Sequence, residues 1–314
     1  MILRGSLRLA AQVEGQAGKP WLLAMHSVAT SSAMWADCLP ALTQTHRVLC
    51  CDARGHGHSG TAPGPCRFDD LVGDAVAILD DLGIARCDVL GLSMGGMTAL
   101  GLALDHPDRV HRLVCASARA AFPSAVAAAW ATRAAAVAEG GMAAIAEETL
   151  TRWFSPAARP ALVDAARQMI LATDPEGYRG CAAALEQLNY LPRLGGLRVP
   201  VLYLAGAEDA AAPPAVMAEM AAATPGARLD VLPGVAHLSA MEAPAAFAAA
   251  VAGFLADEQA RIDPGAGTLQ NRPANGERAM SDMGTVGLIG LGIMGGGDCA
   301  QPDRRGLSRR GLRY

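Results

Sequence analysis

Cys87-Asp88-Val89-Leu90-Gly91-Leu92-Ser93-Met94-Gly95-Gly96-Met97-Thr98-Ala99-Leu100 is the stretch that decides how this chain is read. An apolar run of strand length passes through Gly-x-Ser-x-Gly into an Ala/Leu/Gly run of helix length, with no residues spare for a loop. Such a turn must be sharp, and it lifts the serine hydroxyl above the edge of a sheet. Glycines two residues to either side let backbone come close where a Cβ would stand in the way. A helix starting at Met94 aims unpaired N–H groups and a positive dipole end at the same place, which suits a developing oxyanion. In a chain with 35 glycines the five-residue match alone is weak. The strand before it and the helix after it make it specific, and Ser93 becomes the candidate nucleophile.

Outward from that turn, strand-like and helix-like segments alternate. Trp21 to Met25, Arg47 to Asp52, Cys87 to Leu92, Val110 to Ala116, Pro200 to Ala205 and Ala227 to Leu232 read as strands. Helical spacing appears from near Met34, over Asp69 to Leu82 with Gly83 as its stop, over Met94 to Leu104, Pro214 to Ala223 and Ala243 to Ala256. The rhythm predicts an α/β fold with a mostly parallel central sheet flanked by helices. Between about 122 and 193 the pattern is Ala-rich and helical without a strand candidate, which reads as a helical cap inserted over one edge.

A serine hydroxyl needs a base, and the base needs an acid to orient it. Behind an elbow of this kind the acid and then the histidine follow in chain order. Asp209 stands just past the Pro200 to Ala205 strand, and His237 lies between the next strand and the last helix. Both fall where loops at the carboxyl ends of the strands gather. Glu208 is the rival acid, one residue away and expected to point elsewhere. The second oxyanion donor is expected from His26-Ser27-Val28-Ala29, as the backbone N–H of Val28 paired with that of Met94. His26 then reads as a hydrogen-bonder behind the site, and His56 and His58 as loop-stabilising residues.

Composition narrows the alternatives. The chain has 314 residues, 52% hydrophobic and 18% charged, which describes a globular protein with a sizeable core. A formal net charge of −4 gives no reason to expect nucleic acid. Lys19 is the only lysine, so the remaining basic residues are arginine. The eight cysteines form no C-x-x-C pair, and buried reduced thiols are the expectation. The longest uncharged apolar run, Val89 to Leu104, is short for a membrane span and is broken by Gly and Ser. With no secretory core at the N-terminus, a cytoplasmic location is expected, with no membrane partner and no metal. The oligomeric state is left open.

The elbow, the chain order and the loop Arg54-Gly55-His56-Gly57-His58-Ser59 resemble the α/β-hydrolase fold. With Arg152-Trp153-Phe154-Ser155-Pro156, Asp174-Pro175-Glu176-Gly177-Tyr178 and Ala236-His237-Leu238-Ser239, residues 10 to 256 resemble the 3-oxoadipate enol-lactone hydrolases of the β-ketoadipate pathway. The resemblance implies a cofactor-free serine hydrolase with a helical cap that opens a small carboxylated enol-lactone through Ser93, His237 and Asp209. It also implies a cap residue for the substrate carboxylate. Trp130-Ala131-Thr132-Arg133 resembles the family's tryptophan-x-x-arginine segment, so Arg133 is that candidate, with Trp130 and Trp153 as apolar walls. The chain departs from the family pattern at Ala29, where the family usually has glycine, and at Ala240 and Ala243. Within the fold, a small-ester carboxylesterase is the nearest alternative and a carbon–carbon bond hydrolase a further one. A non-catalytic binding member would be expected to have lost a triad residue.

The domain is expected to end near residue 256. Met280 to Gly295 resembles the start of a 3-hydroxyisobutyrate dehydrogenase-like protein, with Gly290-Leu291-Gly292-Ile293-Met294-Gly295 as its glycine loop. Such a loop binds dinucleotide only inside a complete βαβ unit, and an arginine-rich run follows instead. Residues 257–314 are therefore expected to be a poorly ordered extension without function.

Overall fold

A computed structural model describes residues 1–257. The expectations for the rest of the tail and its glycine loop lie outside the described residues.

The chain opens with a small hairpin, β1 (Ile2–Arg4) and β2 (Leu7–Leu9), and an edge strand, β3 (Ala11–Glu14). Then come β4 (Trp21–Met25), α1 (Leu39–Leu42), β5 (Arg47–Cys51), α2 (Phe68–Asp81), β6 (Cys87–Leu92), α3 (Met94–Asp105) and β7 (Val110–Ala116). Four helices follow without an intervening strand: α4 (Ser124–Gly140), α5 (Ala143–Trp153), α6 (Pro160–Ala172) and α7 (Pro175–Glu186). The alternation resumes with β8 (Val201–Gly206), α8 (Pro214–Ala223), β9 (Arg228–Leu232), α9 (Ser239–Glu242) and α10 (Pro244–Ala256).

Seven strands form one sheet in the order β3-β5-β4-β6-β7-β8-β9. Every pairing in it is parallel except β3 with β5. A parallel sheet covered on both faces demands apolar side chains in both directions, and every residue of β6 and β8 is buried. α3 is buried from Met94 to Ala103, and its Gly95 and Gly96 lie against the ends of β4 and β7. The chain leaves β4 to one side and returns through β6 on the other, so the order of strands switches between them. Open α/β sheets bind ligands beyond the carboxyl ends of the strands at such a point. The Ser93 turn and the His26–Ala29 loop both sit there.

Two features differ from the reading of the sequence. The helix expected near Met34 is a single 3-10 turn, Ser32–Trp35, followed by the one-turn α1. The hairpin and β3 carry no strong strand signal: Leu7-Arg8-Leu9 is three residues long in a separate two-stranded sheet, and Ala11-Gln12-Val13-Glu14 lies half-buried to exposed at the edge of the main one. Among the described residues no helix is long and apolar enough to cross a membrane.

Candidate active site

Ser93 occupies the residue between β6 and α3 with φ 56° and ψ −118°, a conformation L-residues adopt at a cost of about 1–3 kcal/mol. Its own N–H donates to the Ala116 carbonyl of β7 at 2.9 Å and its carbonyl accepts from Met97 N–H at 2.9 Å, so the turn is clamped on both sides. The flanking glycines are required by contact. A Cβ on Gly91 would lie 2.2 Å from the Gly95 carbonyl oxygen, and one on Gly95 would lie 2.1 Å from the Met25 carbonyl oxygen. The Ser93 Oγ has no hydrogen-bond partner among the described residues and opens onto a cavity.

Asp209 and His237 meet at that cavity's edge. His237 Nδ1–H donates to Asp209 Oδ2 at 2.9 Å, which leaves Nε2 as the nitrogen available to a hydroxyl. The other carboxylate oxygen, Oδ1, accepts the N–H groups of Ala211 and Ala212, both at 2.8 Å. Burial by itself would raise the Asp209 carboxyl, but the His237 ring and these two amides outweigh it and hold it below the usual carboxylate range. Glu208 is exposed, so the neighbouring acid takes no part in this arrangement. Trp153 stacks on the His237 ring at 6.1 Å with planes 25° apart, and its carbonyl accepts from Leu238 N–H at 3.1 Å. Glu242 ties the same two segments together: one carboxylate oxygen accepts from Ala236 N–H at 2.9 Å and the other from Ser155 N–H at 3.1 Å.

Val28 and Met94 are both buried, and their amide groups have no protein acceptor among the described residues. The loop that carries Val28 is held from behind. His26 donates through Nδ1 to the Ser27 carbonyl at 2.7 Å and accepts the Ala53 N–H on Nε2 at 2.9 Å. Asp52 accepts from Ser32 N–H at 2.7 Å and His58 N–H at 2.9 Å. Ala29 sits at φ 55°, a left-handed position that favours glycine.

The cavity measures about 320 Å³ and is roofed by α4 and α5. Trp130 and Trp153 line it, and so does Arg133, whose guanidinium lies 5.7 Å from the Trp130 ring and donates to Thr149 Oγ1 at 3.0 Å. Two further arginines line the same space. Arg119 follows β7 and donates from Nε to the Ala211 carbonyl at 2.7 Å, and Arg152 projects from the last turn of α5. Sequence reasoning passed over both of them. Arg152 stood inside a motif already singled out, but nothing in a sequence separates an arginine aimed into a cavity from one on a solvated helix.

Residues 20–244 match the family model described as alpha/beta hydrolase fold. The chain belongs to the α/β-hydrolase family. A 3-oxoadipate enol-lactonase 2 of Acinetobacter baylyi is 35% identical over 240 residues, covering 76% of this chain and 89% of that protein. The crystal structure of the enol-lactonase from Burkholderia xenovorans LB400 superposes with a TM-score of 0.77 at 36% identity, covering 79% of this chain and 96% of that one. A RutD protein of Caulobacter sp., provisionally named a carbamate hydrolase, is 31% identical over 236 residues, 73% of this chain and 88% of its own.

In this hydrolase the Arg54–Ser59 loop packs directly on the cap. Gly55 and Gly177 approach so closely that a Cβ on Gly55 would lie 2.2 Å from the Gly177 Cα, and Asp174 caps α7 by accepting Gly177 N–H at 2.8 Å. Two of the family-like motifs therefore form one contact. His56 in that loop donates from Nδ1 to the Arg54 carbonyl, and its Nε2 is buried without a partner among the described residues. Burial, followed by the His26 charge, pulls the His56 ring from 6.5 down to about 3. Because the folded value is depressed, the unfolded chain binds a proton that the native state refuses as pH falls below 6.5. Stability is therefore lost in that window, by about 1.4 kcal/mol per pH unit for this one group. Denaturant unfolding of wild type and His56→Gln at pH 7 and pH 5 checks this; the variant is expected to show the smaller difference.

Proposed function

We propose that this hydrolase opens a small enol-lactone carrying a free carboxylate, of the 3-oxoadipate enol-lactone type, through an acyl-enzyme on Ser93. The observation that carries the reading is the meeting, in one cavity, of Ser93, the Asp209-oriented His237 and the cationic cap residue Arg133. Relatives named enol-lactonase at 35% and 36% identity support the substrate class.

In the proposed reaction His237 Nε2 takes the Ser93 proton as Oγ bonds to the lactone carbonyl carbon. The N–H groups of Val28 and Met94 stabilise the oxyanion. The ring C–O bond then breaks, the leaving enolate takes the proton from His237, and the enol tautomerises to the ketone. Water, deprotonated by His237, attacks the acyl carbon. The Ser93 ester bond breaks, and Ser93 recovers its proton. Asp209 keeps the imidazole in the tautomer this sequence needs. Arg133 binds the carboxylate and Trp130 and Trp153 wall the ring. A cytoplasmic setting fits the seven cysteines among the described residues, all free and buried; burial pushes the thiols of Cys50 and Cys87 up to about 12.

Arg133→Ala tests the assignment. A hydrogen-bonded charge pair of this kind is worth about 2 kcal/mol, so kcat/KM on the enol-lactone is expected to fall about 30-fold. Turnover of a neutral acetate ester is expected to change less than about threefold, since it has no carboxylate for Arg133 to hold. Equal losses on both substrates would refute the role. A wild type that prefers the neutral ester, or a carbamate as the RutD relative's name suggests, would replace the substrate class while leaving the triad in place.

A further inference from the structure

Two arginines flank a pair of aromatic rings along one wall of the cavity. The Arg119 guanidinium lies 5.7 Å from the Phe122 ring, Phe122 meets Trp130 edge-on at 6.0 Å, and Trp130 lies 5.7 Å from the Arg133 guanidinium. Arg152 lines the same space from α5. Little of this donor capacity is used. Among the described residues Arg119 spends Nε on Ala211, Arg133 spends one Nη on Thr149 with Glu148 at 3.4 Å while its Nε is buried without a partner, and Arg152 shares that same Glu148 at 3.9 Å.

The opposing acids do not balance three guanidinium charges. Asp209 is engaged with His237, and the others stand where water screens them: Glu148, 66% exposed beside Arg133 and Arg152, and the exposed Glu219 near Arg119. The arginines also feel one another: burial and then the Arg133 charge pull Arg152 below its ordinary value, and Arg152 acts in the same direction on Arg119. A substrate with one carboxylate neutralises only part of this field. Hydrolysis supplies more negative charge. When water adds to the acyl carbonyl and the Ser93 ester bond breaks, the released acid ionises, so a second anion appears where the substrate had a neutral carbonyl. Arg119 stands on that side, because the Ala211 it holds donates its own N–H to Asp209.

We propose that this cavity is a dicarboxylate site, with Arg133 and Arg152 holding the carboxylate the substrate brings and Arg119 taking the one released when the Ser93 ester is hydrolysed. The product of the reaction is then its better-matched ligand and a competitive inhibitor. The assignment of the second carboxylate rests on the lactone reading, but binding is measured without turnover.

Calorimetric titration of the full chain with adipate and with hexanoate, at one ionic strength, tests it. Adipate is expected to bind at least tenfold more tightly, since the two differ only in the second carboxylate. Arg119→Gln is expected to weaken adipate about tenfold and leave hexanoate within about twofold; Arg152→Gln is expected to weaken both. Equal affinities in wild type overturn the proposal, and that comparison stands even if a variant fails to fold. Unchanged adipate binding by folded Arg119→Gln overturns it too. Lactone turnover without adipate preference sinks this inference and spares the proposed function, whereas adipate preference without lactone turnover does the reverse.

Discussion

Ser93→Ala is expected to lower kcat/KM on the enol-lactone about 100,000-fold, leaving only what oriented binding and the oxyanion donors supply. The size follows from the arrangement: with no Oγ, the His237 base and the Asp209 carboxylate have nothing to act on. The same position makes a second, opposite prediction about stability. Ser93 is held at φ 56° by hydrogen bonds to β7 and α3, and alanine inherits that strain unchanged. Glycine does not, so Ser93→Gly is expected to be equally inactive yet about 1 kcal/mol more stable, melting about 2–4 °C above wild type. Scanning calorimetry of the three proteins, beside the kinetic assay, reads both effects. A Ser93→Gly that melts below wild type would remove strain from the account of this turn.

Gly95→Ala is expected to damage both fold and chemistry. Its Cβ would stand 2.1 Å from the Met25 carbonyl oxygen and 2.8 Å from that of His26, both backbone atoms that no rotamer change can move. Relief requires α3 and the end of β4 to separate. Overpacking against backbone belongs at the upper end of its usual cost, about 3 kcal/mol, which lowers the melting temperature by about 6–12 °C. Met94 N–H sits on one side of that contact and the loop with Val28 on the other, so separation pulls the two proposed oxyanion donors apart. A displacement near 1 Å costs about 100-fold in rate, on top of the lost stability. Soluble Gly95→Ala with wild-type turnover would show that the close approach has no bearing on the site.

What the sequence made legible is what local chemistry dictates. The strands β4, β6 and β7 could be bounded to the residue, because runs buried on both faces are mostly apolar, broken only by Asp88 in β6 and His111-Arg112 near the start of β7. Ser93, Asp209 and His237 were readable because chain order and strand ends fix where such loops gather. The N-terminal hairpin and β3 were not, since three or four half-buried residues leave no periodicity to count. Arg119 and Arg152 escaped for a different reason. Whether an arginine faces a cavity depends on how α4 and α5 lie over the sheet, and nothing local to either residue reports that. The α4 sequence is so rich in alanine that its faces are hard to tell apart from their residues alone; only Val137 of its residues is buried.

The central claim, that a lactone is opened through a covalent bond to Ser93, has a signature that an ordinary ester lacks. Ring opening releases no leaving group, so the acyl-enzyme must carry the entire mass of the substrate. Acid-quenched turnover of the enol-lactone, followed by intact-protein and peptide mass measurement, reads this directly. The predicted result is a transient gain of one whole substrate mass on the peptide containing Ser93, absent from Ser93→Ala. Turnover with no adduct at any quench time, or an adduct on another residue that persists in Ser93→Ala, would contradict it.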